Sequence, residues 1–360
     1  MTRQYKIAML AACPFPYPRG TPIRIRRMAE SLASRGHDVH VISYHLGNDP
    51  GPVDFTIHRI ANVPTYHKCT PGPTYQKLAV LDPLLCLKLR RVTGSRPFDL
   101  IHAHHYEGLL AALGGRRGLP IIFDAHTLLQ SELPSYGLGL MHRTKKWIGR
   151  TIDRHLPKRA NHVISVTEDI RTRLIDDHGL EANRITVIPN GVECDHFDRG
   201  SSPTNGKSNG RTVVFTGNLA SYQRIDLLLG AFKILSERRP GVTLLMVTDD
   251  PFDPYESMAH KLGIRDRIEL VKSDFDSLPG HLARGDVALN PRVECDGLPQ
   301  KLLNYMAARK PIVSFVSSGK DVTDGITGLV VEDGDTNAFA LAVDQLLEDR
   351  TMARRMGENA

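Results

Sequence analysis

The sequence predicts an α/β protein made of two Rossmann-like, doubly wound parallel-sheet domains facing a cleft. Three observations predict it. The chain has 360 residues, more than one hydrophobic core usually serves, so two domains of similar size are expected. Short apolar runs alternate with amphipathic stretches in both halves, the pattern of strand–helix–strand units and so of parallel sheets. Between the halves, residues 198–210 read DRGSSPTNGKSNG, a segment with almost nothing to bury, which marks a linker.

In the first domain, residues 1–197, Lys6–Ala11 reads as a strand, Ile23–Arg35 as an amphipathic helix ended by Gly36, and Val39–Tyr44 as the next strand. Asp99–Ala103, Pro120–Asp124 and His162–Val166 continue the sheet. The segment Thr74–Arg91 is apolar with a basic end and carries Pro83. It is expected to form helix–break–helix, suited equally to surface packing and to membrane contact. In the second domain, residues 211–360, strands are expected at Thr212–Thr216, Val242–Val247, Ile268–Val271, Val287–Leu289 and Ile312–Phe315, with helices at Ile225–Arg238, Pro299–Ala308 and Asn337–Asp349. Open sheets take ligands at the carboxyl ends of their strands, so the cleft is the expected site.

Hydrophobic residues make up 41% of the chain, which excludes disordered, collagen-like and disulfide-scaffold classes. Cys13, Cys69, Cys86, Cys194 and Cys295 show no metal-ligand spacing and are odd in number, as expected of reduced thiols in a cytosolic compartment. The start MTRQYKIAMLAAC enters a strand without the apolar core and cleavage site of a signal peptide. No window approaches the roughly 18 apolar residues of a spanning helix. A cytoplasmic protein, soluble or resting on the inner membrane face, is expected.

The net charge of +6 is modest, but basic residues cluster at Arg24, Arg26 and Arg27, at Lys88, Arg90 and Arg91, and at Lys145, Lys146, Arg150, Arg154, Lys158 and Arg159. Such clusters meet donor phosphates or anionic headgroups, or remain solvated helix faces. No zinc spacing or aromatic–basic motif supports a nucleic-acid partner.

The most informative stretch is Glu294–Val313, ECDGLPQKLLNYMAARKPIV. The strand before it closes at Asn290-Pro291, and Pro299 fits the first turn of a helix, where its missing N–H costs nothing. Free backbone N–H groups at that start attract anions. Asp296 precedes the helix and Asn304 lies on its second turn, placing one for a sugar and the other for a ribose. Nicotinamide binding is disfavoured: CPFPYPRGTP after the first strand has one glycine, and the second strand ends in SYHLG without a ribose-binding acid. The P-loop pattern is absent as well.

These residues resemble the family 4 (group 1) glycosyltransferases, the retaining, nucleotide-sugar-dependent group with the GT-B fold. The resemblance runs over most of the chain: Pro18-Arg19-Gly20-Thr21-Pro22 with Arg24, then His102-Ala103-His104-His105, Asp124-Ala125-His126, the VIPNGV crossover at Val187–Val192, and the donor-phosphate loop Gly217-Asn218-Leu219 with Ile225-Asp226-Leu227-Leu228. It implies a nucleotide-diphosphate sugar as donor substrate, no cofactor and no metal. His126 and Asp296 are the implied catalytic residues. Gly20, Thr21, Asn218, Arg224, Gly297, Leu298, Pro299 and Asn304 are the implied donor-binding residues. The acceptor is an unidentified hydroxyl, with a lipid-linked or surface-glycan precursor and peripheral membrane contact suggested by segment 74–91 and the basic stretch 145–159.

The sequence departs from the family pattern at three places. The two glutamates of the E-x-x-x-x-x-x-x-E pattern are replaced by Asp296 and Asn304; an amide still bonds ribose hydroxyls. Glu294 lies two residues upstream, as a substitute carboxylate or a shaper of the loop. The phosphate loop, which usually carries an Arg after its glycine and a Lys five residues later, has Asn218 and Gln223. Arg224 is expected to restore one charge, helped by the helix start near Pro299. The chain also stops at Arg354–Ala360, where the family's returning helix would begin, so a truncated end is expected.

His102, His104 and His105 imitate a metal site, but alternation along a strand sends His102 and His104 to one face and His105 to the other, which favours a cleft lining. An epimerase would need more catalytic acids, and a phosphorylase a cofactor-binding lysine in the second domain. The remaining alternative is a catalytically degenerate relative that binds a glycan or a partner.

Overall fold

In the computed structural model the chain divides into two compact units, Met1–Asn190 and Gly191–Ala360. The structure describes residues 3–17, 20–69, 72, 74–136, 139, 141–200, 211–293, 295, 297 and 299–360. Of the expected linker, residues 201–210 lie outside the described residues, and residues 198–200 close a short helix.

The first unit runs β1 (Lys6–Ala11), α1 (Gly20–Ser34), β2 (Asp38–Ser43), β3 (Thr56–Arg59), α2 (Asp82–Ser95), β4 (Leu100–His104), α3 (His105–Gly115), β5 (Ile121–Ala125), α4 (Leu129–Glu132), α5 (His142–His155), β6 (His162–Ser165), α6 (Glu168–Asp176) and β7 (Ile185–Val187). Its seven strands are parallel, in the order β3-β2-β1-β4-β5-β6-β7. β1 is buried continuously from Ile7 to Ala11, as a strand covered on both faces must be. Its alternation feeds two cores. Ala8 and Leu10 pack with Leu85 and Leu109 of α2 and α3, while Ile7, Met9 and Ala11 pack with Ile25 and Ala29 of α1. The winding reverses between β1 and β4, where Ala11 lies opposite His104, so the loops leaving these strands diverge and open a crevice.

The second unit repeats the plan with α7 (Cys194–Gly200), β8 (Thr212–Thr216), α8 (Ile225–Arg238), β9 (Thr243–Val247), α9 (Asp253–Lys261), β10 (Ile268–Val271), α10 (Leu278–Arg284), β11 (Val287–Asn290), α11 (Gln300–Ala307), β12 (Ile312–Phe315), β13 (Gly328–Val331), α12 (Thr336–Glu348) and α13 (Arg350–Asn359). The strand order is β10-β9-β8-β11-β12-β13, again parallel throughout. The reversal falls between β8 and β11. Asp335 caps α12 by accepting the Ala338 N–H at 2.8 Å, and Asp349 caps α13 through the Met352 N–H at 2.9 Å, each satisfying a donor the helix leaves free.

The two doubly wound parallel sheets are those the sequence predicts. Three local readings change. Segment 74–91 is not helix–break–helix: a π-helical turn at Lys77–Leu81 runs directly into α2. Pro83 sits in the first turn of α2, where a proline breaks nothing. Pro299 caps α11 in an extended conformation and is not inside the helix. Helix α13 was not foreseen. Among the described residues no helix is long and apolar enough to cross a membrane.

Candidate active site

At the crevice of the first unit, Arg24 points inward from α1 and is 7% exposed. Its guanidinium bonds both oxygens of Asp124, Nε to Oδ2 at 3.2 Å and Nη2 to Oδ1 at 3.3 Å. It also donates to the carbonyls of Ile188 and Pro189 and to Asn190 Oδ1. One side chain therefore ties α1, the end of β5 and the segment after β7 together. Arg26 and Arg27 pair with Glu30 on the same helix. Of the cluster expected either to meet phosphates or to form a solvated face, Arg24 does neither: it is an internal strut.

Around Asp124 lies a shell of histidines. His104 Nδ1 and His126 Nε2 share a hydrogen bond of 3.1 Å, and the His102 and His104 rings are 4.3 Å apart. His105 does not continue the strand. It opens α3 with φ +60°, the left-handed region that a β-carbon disfavours. The turn carries its ring onto His126, stacked at 4.4 Å, and its Nε2 to within 2.8 Å of Thr21 Oγ1. His102 and His104 share a face as alternation requires, while His105 lies past the end of the strand and reaches His126 and Thr21.

Burial holds the His126 imidazole well below its ordinary 6.5. Burial, and next the neighbouring His102, do the same to His104. Burial alone would raise the Asp124 carboxyl, but His126, His102, His104 and Arg24 outweigh it and hold the group far below its ordinary 3.8. At neutral pH Asp124 is a carboxylate beside the Arg24 guanidinium, and the His104 and His126 rings are neutral. His102, His104 and Asp124 do have ligand atoms within 4.8 Å of one another. Asp124, however, already has the Arg24 cation on both oxygens, so this donor set does not fit a second cation.

In the second unit, the β8–α8 loop meets the segment after β11. Tyr305 of α11 anchors this junction. Its buried hydroxyl accepts the Thr216 N–H at 2.8 Å and donates to Leu289 O at 3.3 Å, so the ends of β8 and β11 are held against one helix. Gly217 follows at φ +127°, a conformation open to glycine and few others. Asn218 builds the loop itself, donating to Tyr222 Oη at 2.7 Å and accepting the Ala220 N–H at 3.1 Å. Arg224 caps α8 at φ +54° and forms a two-point ion pair with Asp226, Nε–Oδ1 2.9 Å and Nη2–Oδ2 2.8 Å. That pair lowers the Asp226 carboxyl.

The residues expected at the site fall into two groups. In the first unit, Thr21 and His126 are joined through His105, and Gly20 opens α1 with nothing within 4 Å of a β-carbon built there. In the second, Gly297 precedes α11, Pro299 is its N-cap and Asn304 lies within it, on the segment that meets the Asn218–Arg224 loop. Asp296 and Leu298, with Glu294, lie outside the described residues.

Sequence reasoning missed Lys301. It stands in the first turn of α11, only 8% exposed, with its ammonium on Gln223 Oε1 at 2.6 Å and 4.1 Å from the centroid of the Phe215 ring. The signal was there in its spacing. Lys301, Leu302 and Tyr305 share the buried face of α11, and a lysine four residues before a buried tyrosine lies on that face.

A model of Glycosyltransferase Family 4 matches residues 18–196, and a model of Glycosyl transferases group 1 matches residues 210–349. The chain belongs to the family 4, group 1 glycosyltransferases of the GT-B fold. Among relatives of this glycosyltransferase, a D-inositol 3-phosphate glycosyltransferase of Nocardia farcinica is 24% identical over 95% of this chain and 80% of its own. In fold it is similar to sucrose-phosphate synthase of Thermosynechococcus elongatus, with TM-score 0.81, 19% identity and coverage of 99% and 93% of the two chains. HepE of Anabaena in complex with UDP-glucose is similar too, with TM-score 0.75, 18% identity and coverage of 99% and 93%.

Proposed function

We propose that this glycosyltransferase moves a hexose-like sugar from a nucleoside diphosphate to an acceptor hydroxyl with retention of anomeric configuration, without a metal. The observation that carries the reading is the junction at the β8/β11 switch point, where the Gly217 loop meets the first turn of α11. A doubly wound sheet takes its ligand there, and a helix start favours a phosphate. The UDP-glucose complex of HepE supports a nucleotide sugar as the donor.

In this reading the second unit holds the diphosphate and ribose, with Asn304 on the ribose and Asp296, Gly297, Leu298 and Pro299 at the sugar. Gly20, Thr21 and the neutral His126 ring line the sugar side of the first unit. A neutral imidazole held by His104 and His105 presents a fixed dipole to a developing positive charge and adds no cation of its own. The acceptor is a lipid-linked or surface-glycan precursor at the cytoplasmic membrane face. Helix α5 supports this: Trp147 is 67% exposed and lies among exposed Lys146, Arg150 and Arg154, an apolar residue in a basic setting.

The test is release of nucleotide from a panel of nucleotide sugars in the presence of polyprenyl-phosphate sugars and EDTA, followed by NMR of the product's anomeric proton. Retention of configuration with an unchanged rate in EDTA is expected; inversion or loss of rate in EDTA overturns those parts. A second reading, a binding protein without transfer, is favoured by the engagement of Arg224 by Asp226 and of Asn218 by Tyr222. It requires that no donor releases its nucleotide.

A further inference from the structure

The two loop positions that the family resemblance fills with cations carry Asn218 and Gln223, and the adjacent Arg224 is matched by Asp226 at 2.8 Å. The β8–α8 loop thus brings no net cation of its own to the crevice. The segment after β11 brings two. Lys301 reaches across from the first turn of α11 to Gln223 Oε1, and a β-carbon built on Gly217 would stand 3.7 Å from its Nζ. Arg292, two residues beyond β11, lays its guanidinium over the Tyr222 ring with Cζ 4.7 Å from the centroid. Tyr222 is the residue whose hydroxyl holds Asn218, so both cations bear on the same loop.

Lys301 is an anomaly unless something negative joins it. An ammonium has three N–H groups; one meets the Gln223 amide oxygen and the aromatic face of Phe215 lies beside it. Among the described residues no carboxylate pairs with it. Burial pulls the ammonium well below its ordinary 10.5, and the Arg292 charge adds to the effect. Two like charges gathered at a switch point, one of them enclosed and without a counter-ion among the described residues, form a site for a multiply charged anion. Gly217, without a side chain, leaves the approach to Nζ open.

We infer that Lys301 and Arg292 are the diphosphate-binding cations of this glycosyltransferase, supplied by the β11–α11 segment in place of the loop's own, with Gln223 as the positioning residue that holds the Lys301 ammonium beside Gly217. This rests on the proposed reading that the second unit binds a nucleoside diphosphate. The ammonium neutralises the diphosphate when the donor binds and when the sugar departs. Arg224 stays with Asp226.

Equilibrium titrations of the whole chain with UDP, GDP, ADP and dTDP, and with the four matching nucleosides, test it. Lys301→Met is expected to weaken the preferred diphosphate by roughly 10- to 100-fold while leaving the matching nucleoside unchanged, since a charged hydrogen bond to phosphate alone is lost. Adding Gln223→Lys to Lys301→Met returns a cation beside Gly217 and is expected to recover the diphosphate affinity. Arg292→Met, at a half-buried residue, is expected to weaken the diphosphate selectively and to a smaller degree. Unchanged diphosphate affinity in both Lys301→Met and Arg292→Met, or an equal loss for nucleoside and diphosphate, overturns the assignment and leaves the transferase reading standing. A wild-type chain that binds none of the four diphosphates overturns both.

Discussion

In the first unit the buried charges of Arg24 and Asp124 meet at 3.1 Å and cancel within the protein, whereas in the second the enclosed ammonium of Lys301 meets, among the described residues, an amide oxygen and an aromatic ring. The contrast separates two uses of a buried cation. Arg24 has its donors filled by Asp124, Asn190 and two carbonyls, so it is a strut that fixes where His126 stands. Lys301 is held in a position that the folded chain alone does not reward. A buried cation matched by a carboxylate builds the scaffold, and one matched by none among the described residues is left for a ligand.

The sharpest way to break this comparison is to remove each cation and measure stability. Arg24→Met leaves Asp124 buried without its partner and is expected to lower the unfolding free energy by about 3–5 kcal/mol in urea titrations; a loss below about 1 kcal/mol contradicts the strut. The same network titrates. His104 and His126 have folded values depressed below 6.5, so the stability linked to them is full above that pH and is lost as pH falls from there toward their folded values. The Asp124 contribution, also from a depressed group, is full above 3.8 and disappears only in stronger acid. Unfolding free energy measured against pH is therefore expected to be flat from neutrality upward with respect to these groups and to drop in two stages below it, and a rise on acidification from pH 7 to 5 contradicts the assignment.

Tyr305→Phe sharpens the second unit's side. It strands the buried Thr216 N–H and is expected to cost about 1–3 kcal/mol by thermal or urea unfolding. The smallest effect is expected where the comparison is most direct. Lys301→Met removes a buried charge that lacks a counter-ion among the described residues, so ligand-free stability at neutral pH is expected to stay the same or rise. A loss as large as that of Arg24→Met would place Lys301 among the struts.

Much of the fold was legible because buried parallel strands read as apolar runs: Lys6–Ala11 and Ile312–Phe315 carry the same bounds in sequence and structure. Helix α13 escaped because its stripe, Met352, Ala353 and Met356, is short and set in an otherwise basic, polar sequence, RTMARRMGEN. At the site, the Gly217 loop and the DAH segment were legible as motifs. Arg24 was misread because its partner lies 100 residues away, a distance at which an arginine beside Arg26 and Arg27 looks like a surface charge. The contact of His105 with His126 and Thr21 was not legible, because a left-handed histidine carries no mark in the sequence. Lys301 was passed over because a lysine in an amphipathic helix is ordinarily on the wet side, and only its step of four from Tyr305 says otherwise.

The central claim is that the second sheet's switch point takes the nucleoside diphosphate of a sugar donor. Thermal unfolding of the whole chain with each of a panel of UDP-, GDP-, ADP- and dTDP-sugars measures this directly, because a ligand that binds only the folded state raises stability by RT ln(1 + [L]/Kd). One base is expected to raise the midpoint in a concentration-dependent way, with its free diphosphate doing the same and its nucleoside much less. A midpoint that no member of the panel moves at millimolar concentration contradicts the claim.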